Sequence, residues 1–524
     1  MINFYSVQFV IFLGIMLLCY YTVFREKQWI CLLIGSFVFY YYTGIENFAF
    51  ILLTGFSTWY GAKKIAAFSE ELQLLRGDKS IEKEEKKVKK DMITKKRRTI
   101  MWGVLLVNFG VLACLKYVEP ILEGIGVNNG KVDLGLVLPL GISFYTFQSV
   151  GYLLDIYNEK YQSEKHFAKY MLFVSYFPQM IQGPINRYDA VASQFAERHV
   201  WNDEKATKAV YRIFYGLLKK YAIANILAVA IANTFDSPVK DFSGAIVIFA
   251  ILLYSAQQYA DFSGGIDMVL GVSELFGIHM AENFKQPYFS ISLADFWRRW
   301  HISLGKWMRD YVFYPFALTK PMKNFGKWAN KKFGKHLGRV LPPAIGNILV
   351  FFIVGIWHGA EWHYVIWGLY NGMVIAMSDI LAPCYDKLAT ILHINKKAKW
   401  YHVFQIVRTF IVVNIGWYFD RITNVITALY SMKKSIFNIN MAMFAEEYKI
   451  IFNGVKIHAE AMVIIACIFV LIVSILEENK IDVKNLLYKA PLPIKWGLYV
   501  IVIVMILFSS TRVGTTGGFM YANF

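Results

Sequence analysis

Charged residues are scarce in this chain: Asp, Glu, Lys and Arg make up 18% of its 524 residues, whereas 56% are hydrophobic. Soluble domains carry about a quarter charged residues, so the composition argues against a soluble globular protein. Apolar runs recur along the whole chain, and a spanning helix needs about 20 mostly apolar residues. These features predict an all-α polytopic membrane protein, organised as a single transmembrane domain over residues 1–524.

Cysteine and the common chemical motifs are also rare or missing. The five cysteines lie far apart, form no CxxC or metal-binding spacing, and are interpreted as packing residues. No GxGxxG, P-loop or GxSxG pattern occurs, which gives nucleotide-binding and serine-hydrolase functions no support. His358 and His363 lie five residues apart, a spacing that does not place both on one helical face. We therefore expect no metal and no bound cofactor.

The formal net charge of +18 is the strongest bias in the sequence. No nucleic-acid-binding signature accompanies it, and the Lys and Arg residues lie in short stretches between apolar runs, as the positive-inside rule describes. The expected partner is therefore the membrane lipid rather than nucleic acid. Residues 63–98 and Lys320–Arg339 are predicted to be charged cytoplasmic loops, the first with one or two exposed helical turns. Three spans precede the first loop, which places the N-terminus outside.

We predict roughly eleven to thirteen membrane segments, some of them half-helices. The first is interpreted as a retained span, since no basic n-region or cleavage site precedes it. Residues 433–460 are predicted to be a polar insert, and the Gly183-Pro184 pair to break a helix beside a cavity or within protein. The predicted segments are Ser6–Phe24, Ile30–Tyr42, Phe48–Tyr60, Thr99–Tyr117, Val137–Leu154, Met171–Ile181, Lys205–Ala232, Phe242–Tyr254, Ile345–Trp357, Tyr364–Met377, Val403–Trp417, Ala461–Leu476 and Ile494–Ser509.

Residues 257–358 stand out as a candidate catalytic core, because polar and ionisable side chains are concentrated between apolar segments there. Such residues are costly inside a membrane and often mark a working site. The Gly264-Gly265 pair is predicted to end one helix, with Asp261 or Ser263 as a helix cap and Asp267 paired to an arginine.

Two histidines are the main candidates for chemistry in this core. On one helix, Trp297, His301, Leu304 and Met308 would share a face. That segment fits both an interfacial helix with an aromatic belt and a buried histidine site. His358 follows an apolar run between Gly355 and Gly359, which permit close approach of a backbone or a ligand. It fits a satisfied core residue or a general base acting on a hydroxyl near neutral pH.

A series of motifs occurs in order along the chain: Pro139–Gln148, Phe177–Gln179, Gln182–Tyr188, Asp261–Gly264, Glu282–Phe284, Phe296–Tyr311, Trp357–Gly359 and Gly518–Phe524. Together these motifs resemble the membrane-bound O-acyltransferase (MBOAT) family, in particular its bacterial polysaccharide O-acetylation branch. One departure is the segment Trp417-Tyr418-Phe419-Asp420-Arg421, where the family carries Phe-Phe-Arg after a Trp, which leaves any role of Arg421 open. A second departure is the length of the 63–98 segment.

The resemblance implies a multi-helix enzyme with a central funnel or tunnel, in which His358 is the catalytic histidine and His301 the second histidine of the site. It further implies a cytosolic acyl thioester donor, acetyl-CoA, an extracellular polysaccharide acceptor, and an extracytoplasmic SGNH-type acyltransferase partner. The expected location is the bacterial cell membrane. The remaining candidates for contacts with substrate or with the histidines are Asp261, Ser263, Asn283, Trp297, Arg298, Asp310, Trp357, Gln182 and Arg187.

Two other functions remain open at this level. One is D-alanyl transfer from a carrier protein to teichoic acid, although the chain continues well beyond the Trp-His-Gly motif, which favours the acetylation branch. The other is a non-enzymatic transporter or flippase with polar residues at the middle of the membrane. The sequence carries no internal repeat, which argues weakly against a transporter built from repeats.

Overall fold

The computed structural model describes residues 6–42, 44, 47–124, 138–236, 241–455 and 457–510, and these ranges form helices and connections without a named β-strand. The predicted all-α fold class is confirmed. In chain order the α-helices are α1 (Val7–Tyr21), α2 (Gln28–Tyr41), α3 (Asn47–Gly77), α4 (Lys83–Gly124), α5 (Ile142–Tyr157), α6 (Phe167–Ser175), α7 (Pro178–Ile181), α8 (Tyr188–Ala196), α9 (Asp203–Leu218), α10 (Asn225–Phe235), α11 (Gly244–Leu275), α12 (Leu293–Arg299), α13 (Ile302–Met308), α14 (Tyr314–Ala317), α15 (Lys320–Phe333), α16 (Lys335–His358), α17 (Trp362–Ile380), α18 (Ala382–Ile391), α19 (Lys399–Arg421), α20 (Val425–Phe437), α21 (Phe444–Ile451), α22 (Ile457–Glu478), α23 (Val483–Lys489) and α24 (Leu492–Ser510).

Short irregular helices join several of these elements. Two are π-helical turns, Lys219–Ala224 between α9 and α10 and Arg309–Phe313 between α13 and α14. Two are 3₁₀ turns, Pro287–Phe289 and Met441–Met443. π-Helical turns inside longer helices are often found at functional sites.

Six helical segments in the described part of the chain are long and apolar enough to cross a membrane, or seven if the bent pair α17–α18 counts as one span. They include Lys83–Leu122, Asp203–Phe235 and Gly244–Leu275. The shorter α1 and α2 are also apolar. The chain is therefore a multi-pass membrane protein, while the larger predicted count, which includes short and half-helices, stays a prediction.

The chain divides into two compact units, and the prediction of a single domain stays a prediction. The first unit comprises Met1–Ala209 with Val269–Ala281, and the second comprises Val210–Met268 with Glu282–Phe524. In the first unit, Tyr20 is buried and donates a hydrogen bond to the carbonyl of Phe276 at 3.0 Å.

In the second unit, α16 packs along α17, and α11 is held by ion pairs to the first π-helical turn. These elements carry the candidate site.

The charged segment 63–98 is not the loop that the sequence predicts. It consists of the end of α3 and the start of α4, with a short break at residues 78–82. Leu72 and Leu75 on α3 pack with Ile93 on α4 in a small buried cluster. This apolar seam explains why both helices continue into a charged segment.

The predicted loop Lys320–Arg339 is also helical. Thr319 caps α15 by accepting a hydrogen bond from the backbone N–H of Met322, and Pro321 occupies its first turn. Gly334 separates α15 from α16 with a φ of +88°, a conformation that favours glycine. The segment therefore consists of two helices joined at a glycine, and its lysines occupy helical positions.

A further correction concerns Gly264-Gly265, because α11 runs through both glycines from Gly244 to Leu275. A Cβ atom on Gly264 would lie 2.9 Å from the carbonyl oxygen of Gly216. The glycine is thus required for close helix packing, and Asp261 and Ser263 lie within a helix rather than at its cap. The matching stretch Gly518–Phe524 lies outside the described residues.

Candidate active site

His301 and His358 line the same cavity in the second unit, although they are 57 residues apart in the sequence. The cavity has a volume of about 60 Å³ and is mostly aromatic and aliphatic. Both histidines are buried, with exposures of 3% and 7%. The lining residues are Gln258, Trp297, Trp300, His301, Leu304, Gly305, Met308, Val350, Phe351, Val354, His358, Trp367, Trp417 and Asp420.

His301 lies at a break between two short helices. Its φ of +47° is in the left-handed region, which is strained for a residue other than glycine. Asn283 supports this break, since its backbone carbonyl accepts from the N–H of Ile302 at 3.0 Å and its side-chain oxygen from Ser303 at 2.9 Å. The fully buried Asn283 thus satisfies two backbone donors at the start of α13.

The predicted continuous helix through this segment is wrong, because α12 ends at Arg299 and α13 begins at Ile302. The grouping of side chains that it implied is nevertheless found. Trp297, His301, Leu304 and Met308 all line the cavity. The break changes the backbone path without turning these side chains away from one another.

The ring of His301 is surrounded by aromatic groups. Phe262 meets it edge-on with ring centroids 4.9 Å apart, and the ring of Trp357 lies 6.3 Å away. Burial lowers the pKa of His301 from 6.5 to about 3. The imidazole is therefore neutral near pH 7, and can donate or accept a hydrogen bond without carrying charge.

His358 is the last residue of α16, at the point where this helix meets the start of α17. The ring of Trp367 packs edge-on against it at 5.0 Å, and the ring of Tyr364 stacks at 5.8 Å. Gly355 allows the close helix approach, because a Cβ there would lie 2.5 Å from the carbonyl oxygen of Tyr364. The predicted close approach at Gly355 is thus to the backbone of a neighbouring helix.

Asp420 brings a carboxylate into the cavity, a feature that the sequence interpretation missed. It accepts hydrogen bonds from the hydroxyl of Tyr254 at 2.7 Å and the amide of Gln258 at 2.9 Å. Gln258 also lines the cavity. Arg421 lies outside the lining and pairs with Asp236 at 2.6 Å. In the sequence, the feature that bears on Asp420 is the departure from the family pattern at 417–421. That departure raised a question about Arg421 rather than about Asp420.

Among the other predicted residues, Trp297 lines the cavity and donates from its indole N–H to Asn371 at 3.0 Å. Trp357 is buried beside both histidine rings but does not line the cavity. Arg298 is largely exposed and faces Asp295, while Asp310 pairs with the neighbouring Arg309 at 2.9 Å. The structure therefore places Arg298 and Asp310 outside the histidine cavity.

Asp261 and Ser263 do not line the histidine cavity; they contact a pair of buried lysines. Lys220 pairs with Asp261, and the ammonium of Lys219 donates to the Ser263 hydroxyl at 2.9 Å. Lys219 also pairs with Asp267, which accepts from Arg212 at 3.0 Å. The predicted pairing of Asp267 with an arginine is confirmed.

Gln182 and Arg187 belong to the first unit. Gln182 is fully buried in the extended segment after α7, and Arg187 approaches the carboxylate of Asp155 at 3.7 Å. Their relation to the histidine cavity stays a prediction.

The geometry of the second unit defines a class of protein: an integral membrane protein with a buried, largely apolar cavity that presents two imidazoles and a carboxylate. Imidazole is suited to remove a proton from a hydroxyl near neutral pH. The model of the membrane-bound O-acyltransferase family, MBOAT, matches residues 163–415, a range that contains both histidines. The chain belongs to this family and is an O-acyltransferase.

Three relatives show the range of acceptors among similar proteins. A probable alginate O-acetylase of Pseudomonas syringae pv. tomato is 31% identical over 79% of this chain and 71% of the relative. A peptidoglycan O-acetyltransferase of Helicobacter pylori is 30% identical over 64% of each chain. A teichoic acid D-alanyltransferase of Bacillus subtilis is 31% identical over 54% of this chain and 68% of the relative.

Proposed function

We propose that this chain is a membrane O-acetyltransferase that passes an acetyl group from a cytosolic thioester toward an extracellular polysaccharide. The observation that carries the proposal is the meeting of His301 and His358 in one buried cavity within the family match. Similarity to the P. syringae acetylase extends over 79% of the chain, against 54% for the B. subtilis D-alanyltransferase, which favours acetyl over D-alanyl transfer.

His358 is the proposed general base. As the acceptor hydroxyl attacks the thioester carbonyl, its proton passes to the imidazole and the new carbon–oxygen bond forms. The tetrahedral intermediate then collapses, the carbon–sulfur bond breaks, and the leaving thiolate takes the proton from the imidazolium. Atoms and charge balance without a metal, and the histidine returns to its neutral state.

His301 and Asp420 have different proposed roles. The neutral imidazole of His301 donates a hydrogen bond to the thioester oxygen as negative charge develops on it. The carboxylate of Asp420, oriented by Tyr254 and Gln258, stabilises the imidazolium that forms at His358. Both roles are strengthened by the low polarity of the aromatic walls.

The cellular setting follows from the same proposal. The donor is acetyl-CoA, used as a substrate rather than a bound cofactor, and the protein lies in the bacterial plasma membrane with its N-terminus outside. Polysaccharide names among the relatives support a polymer acceptor. A separate extracytoplasmic acyltransferase of the SGNH type would complete transfer onto the polymer.

The test is donor consumption by the purified full chain in proteoliposomes, with acetyl-labelled acetyl-CoA and D-alanyl carrier protein supplied separately. We expect loss of label from acetyl-CoA, and a fall of about 100-fold or more in His358→Ala, in the range assigned to a lost general base. His402→Ala, at an exposed position on α19, is the matched control. Consumption of the D-alanyl donor alone would replace acetyl by D-alanyl transfer.

If the chain is instead a transporter, substitution of the two histidines should leave donor turnover unchanged. If His358→Ala and His301→Ala both keep full donor turnover, the enzymatic proposal is wrong. Loss of substrate passage with unchanged turnover would assign these residues to a transport path instead.

A further inference from the structure

A second and larger cavity lies in the same unit and shares no lining residue with the histidine cavity. Its volume is about 360 Å³, within the range of roughly 300–1,000 Å³ of small-ligand sites. α9, α11, α22, α23 and α24 supply most of its walls, together with the segment 282–286. Ring contact between Phe284, which lines this cavity, and Trp300, which lines the other, marks the wall between them.

The acidic groups of this second cavity are already engaged by protein. Asp267 binds Lys219 and Arg212. Glu282 accepts from Arg212 at 2.8 Å, and Glu477 accepts from the amide of Gln286 at 2.7 Å. Each of the three carboxylates in the lining therefore accepts a hydrogen bond from another side chain of the protein.

Three lysines in the lining form no close ion pair, although Lys484 interacts electrostatically with the carboxylate of Glu477. Lys285, Lys484 and Lys495 line the cavity, and none forms an ion pair in the part of the chain that the structure describes. Lys495 lies over the ring of Tyr488 at 5.1 Å. A cavity with this excess of positive charge is suited to an anionic group, and phosphate is a common one.

Another part of the cavity lining is apolar. Phe469 and Val473 from α22, and Leu498 and Val502 from α24, form this wall. Both helices are long and apolar enough to cross a membrane, and only 6% of the most apolar window of α24 is covered by protein. Lys484 lies on α23, just after the end of α22, and Lys495 lies near the start of α24, where a spanning helix meets the headgroup region, while Lys285 comes from the segment 282–286.

We propose that this second cavity binds an anionic phospholipid. Its phosphate is held among Lys285, Lys484 and Lys495, and an acyl chain follows the apolar wall of Val473, Leu498 and Val502. A basic pocket between membrane helices is a known kind of headgroup site. The apolar half and the membrane-spanning walls favour a lipid over a soluble phosphate compound, which would leave that half unfilled.

The experiment measures lipid retention by the full chain and needs no acyl transfer, so its failure is separate from failure of the proposed function. The protein is purified from vesicles of phosphatidylcholine and phosphatidylglycerol and examined by native mass spectrometry. The variant Lys285→Gln/Lys484→Gln/Lys495→Gln should retain about tenfold less phosphatidylglycerol than the wild type, because three headgroup contacts are lost. Lys83→Gln/Lys87→Gln/Lys90→Gln, at exposed positions of α4, has the same charge change and should match the wild type.

A second variant distinguishes loss of lipid binding from misfolding caused by the triple lysine substitution. Val502→Trp fills the apolar wall while keeping all three lysines, and it should also lower retention of the lipid. Equal retention by the wild type, the cavity lysine variant and Val502→Trp overturns the proposal. So does binding of labelled coenzyme A that displaces the lipid and is lost in the lysine variant, because the site would then serve a soluble phosphate compound.

Discussion

At the scale of single residues, Asp420 is the one carboxylate among the described side chains that line the histidine cavity. Its hydrogen-bond donors are a tyrosine hydroxyl and an amide. The carboxylate is therefore held by neutral groups rather than by a cation. This arrangement leaves the carboxylate able to favour a positive charge that forms elsewhere in the cavity. We therefore expect a substitution of Asp420 to affect turnover more than substrate binding.

Asp420→Asn removes the charge while keeping a side chain of similar shape. We expect kcat to fall about 10- to 100-fold with little change in KM, because hydrogen bonds to charged groups are worth about 1.5–3 kcal/mol. Asp236→Asn, which alters the exposed partner of Arg421, is the control and should keep kcat. An unchanged kcat in Asp420→Asn would remove the carboxylate from the mechanism.

The pH dependence of stability follows from His301. Since burial lowers its pKa from 6.5 to about 3, the folded protein binds fewer protons than the unfolded chain between these values. The stabilising effect of the neutral imidazole is complete above pH 6.5 and is lost as the pH falls toward 3. Between pH 7 and 4 the loss amounts to roughly 3 kcal/mol from this group, at 1.36 kcal/mol per unit.

His301→Gln should therefore lose less thermal stability on acidification than the wild type. The measurement is Tm in detergent at pH 7 and pH 4 for both proteins, with the exposed His402→Gln as control. If wild type and His301→Gln show the same drop in Tm, the buried neutral histidine is not responsible for the acid sensitivity.

The residue scale also shows what the sequence can predict. His301 and His358 were predictable as site residues, because histidine in an apolar segment is unusual and the motifs around both resemble a known family. Asp420 was not, since its place in the cavity depends on how α19 packs near α11, and these helices are far apart in the chain. The left-handed backbone of His301 also escaped prediction, because a regular 3.6-residue pattern continues across the break.

At the scale of elements, the pair α16–α17 fixes His358. Gly355 and Gly368 let the two backbones approach, since a Cβ on Gly368 would lie 2.3 Å from the carbonyl oxygen of Phe351. The histidine sits at the end of the first helix of this pair. Any separation of the two helices would thus move His358 relative to the rest of the cavity.

Gly355→Ala tests this dependence. The added methyl group would contact backbone atoms of α17, which cannot move away as a flexible side chain can. We expect a loss of about 1–3 kcal/mol of stability, as for overpacked cores, together with reduced acyl transfer. Gly103→Ala, in α4 with nothing within 4 Å of the added Cβ, should keep activity. Wild-type Tm and turnover in Gly355→Ala would contradict the packing role.

Helix positions were easier to predict than helix ends. Apolar runs located most of the long helices, but α3, α4 and α15 extend into charged segments that the sequence suggested were loops. Small tertiary contacts, such as the cluster of Leu72 and Ile93, stabilise these extensions. α11 likewise continues through Gly264-Gly265, and the space beside Gly264 is taken by the backbone of Gly216. Such contacts are formed between distant segments and leave no local pattern.

At the scale of the whole molecule, the basic residues predict the orientation in the membrane. The break at residues 78–82, between α3 and α4, is expected in the cytoplasm. A site-specific protease sequence inserted after Asp78 should be cleaved in inside-out vesicles and protected in right-side-out vesicles. Detergent-solubilised protein, in which the site is cleavable in either case, is the control. Cleavage only in right-side-out vesicles would reverse the predicted topology.

The π-helical turn Lys219–Ala224 has a mechanical consequence. Its two consecutive lysines hold α11 at two places, Asp261 and Asp267, which lie six residues apart and on different sides of that helix. A rotation or a one-turn slide of α11 would separate both buried pairs, and breaking one such pair costs about 3–5 kcal/mol. α11 thus acts as a fixed frame, so any movement that admits donor or releases product must be made by other helices.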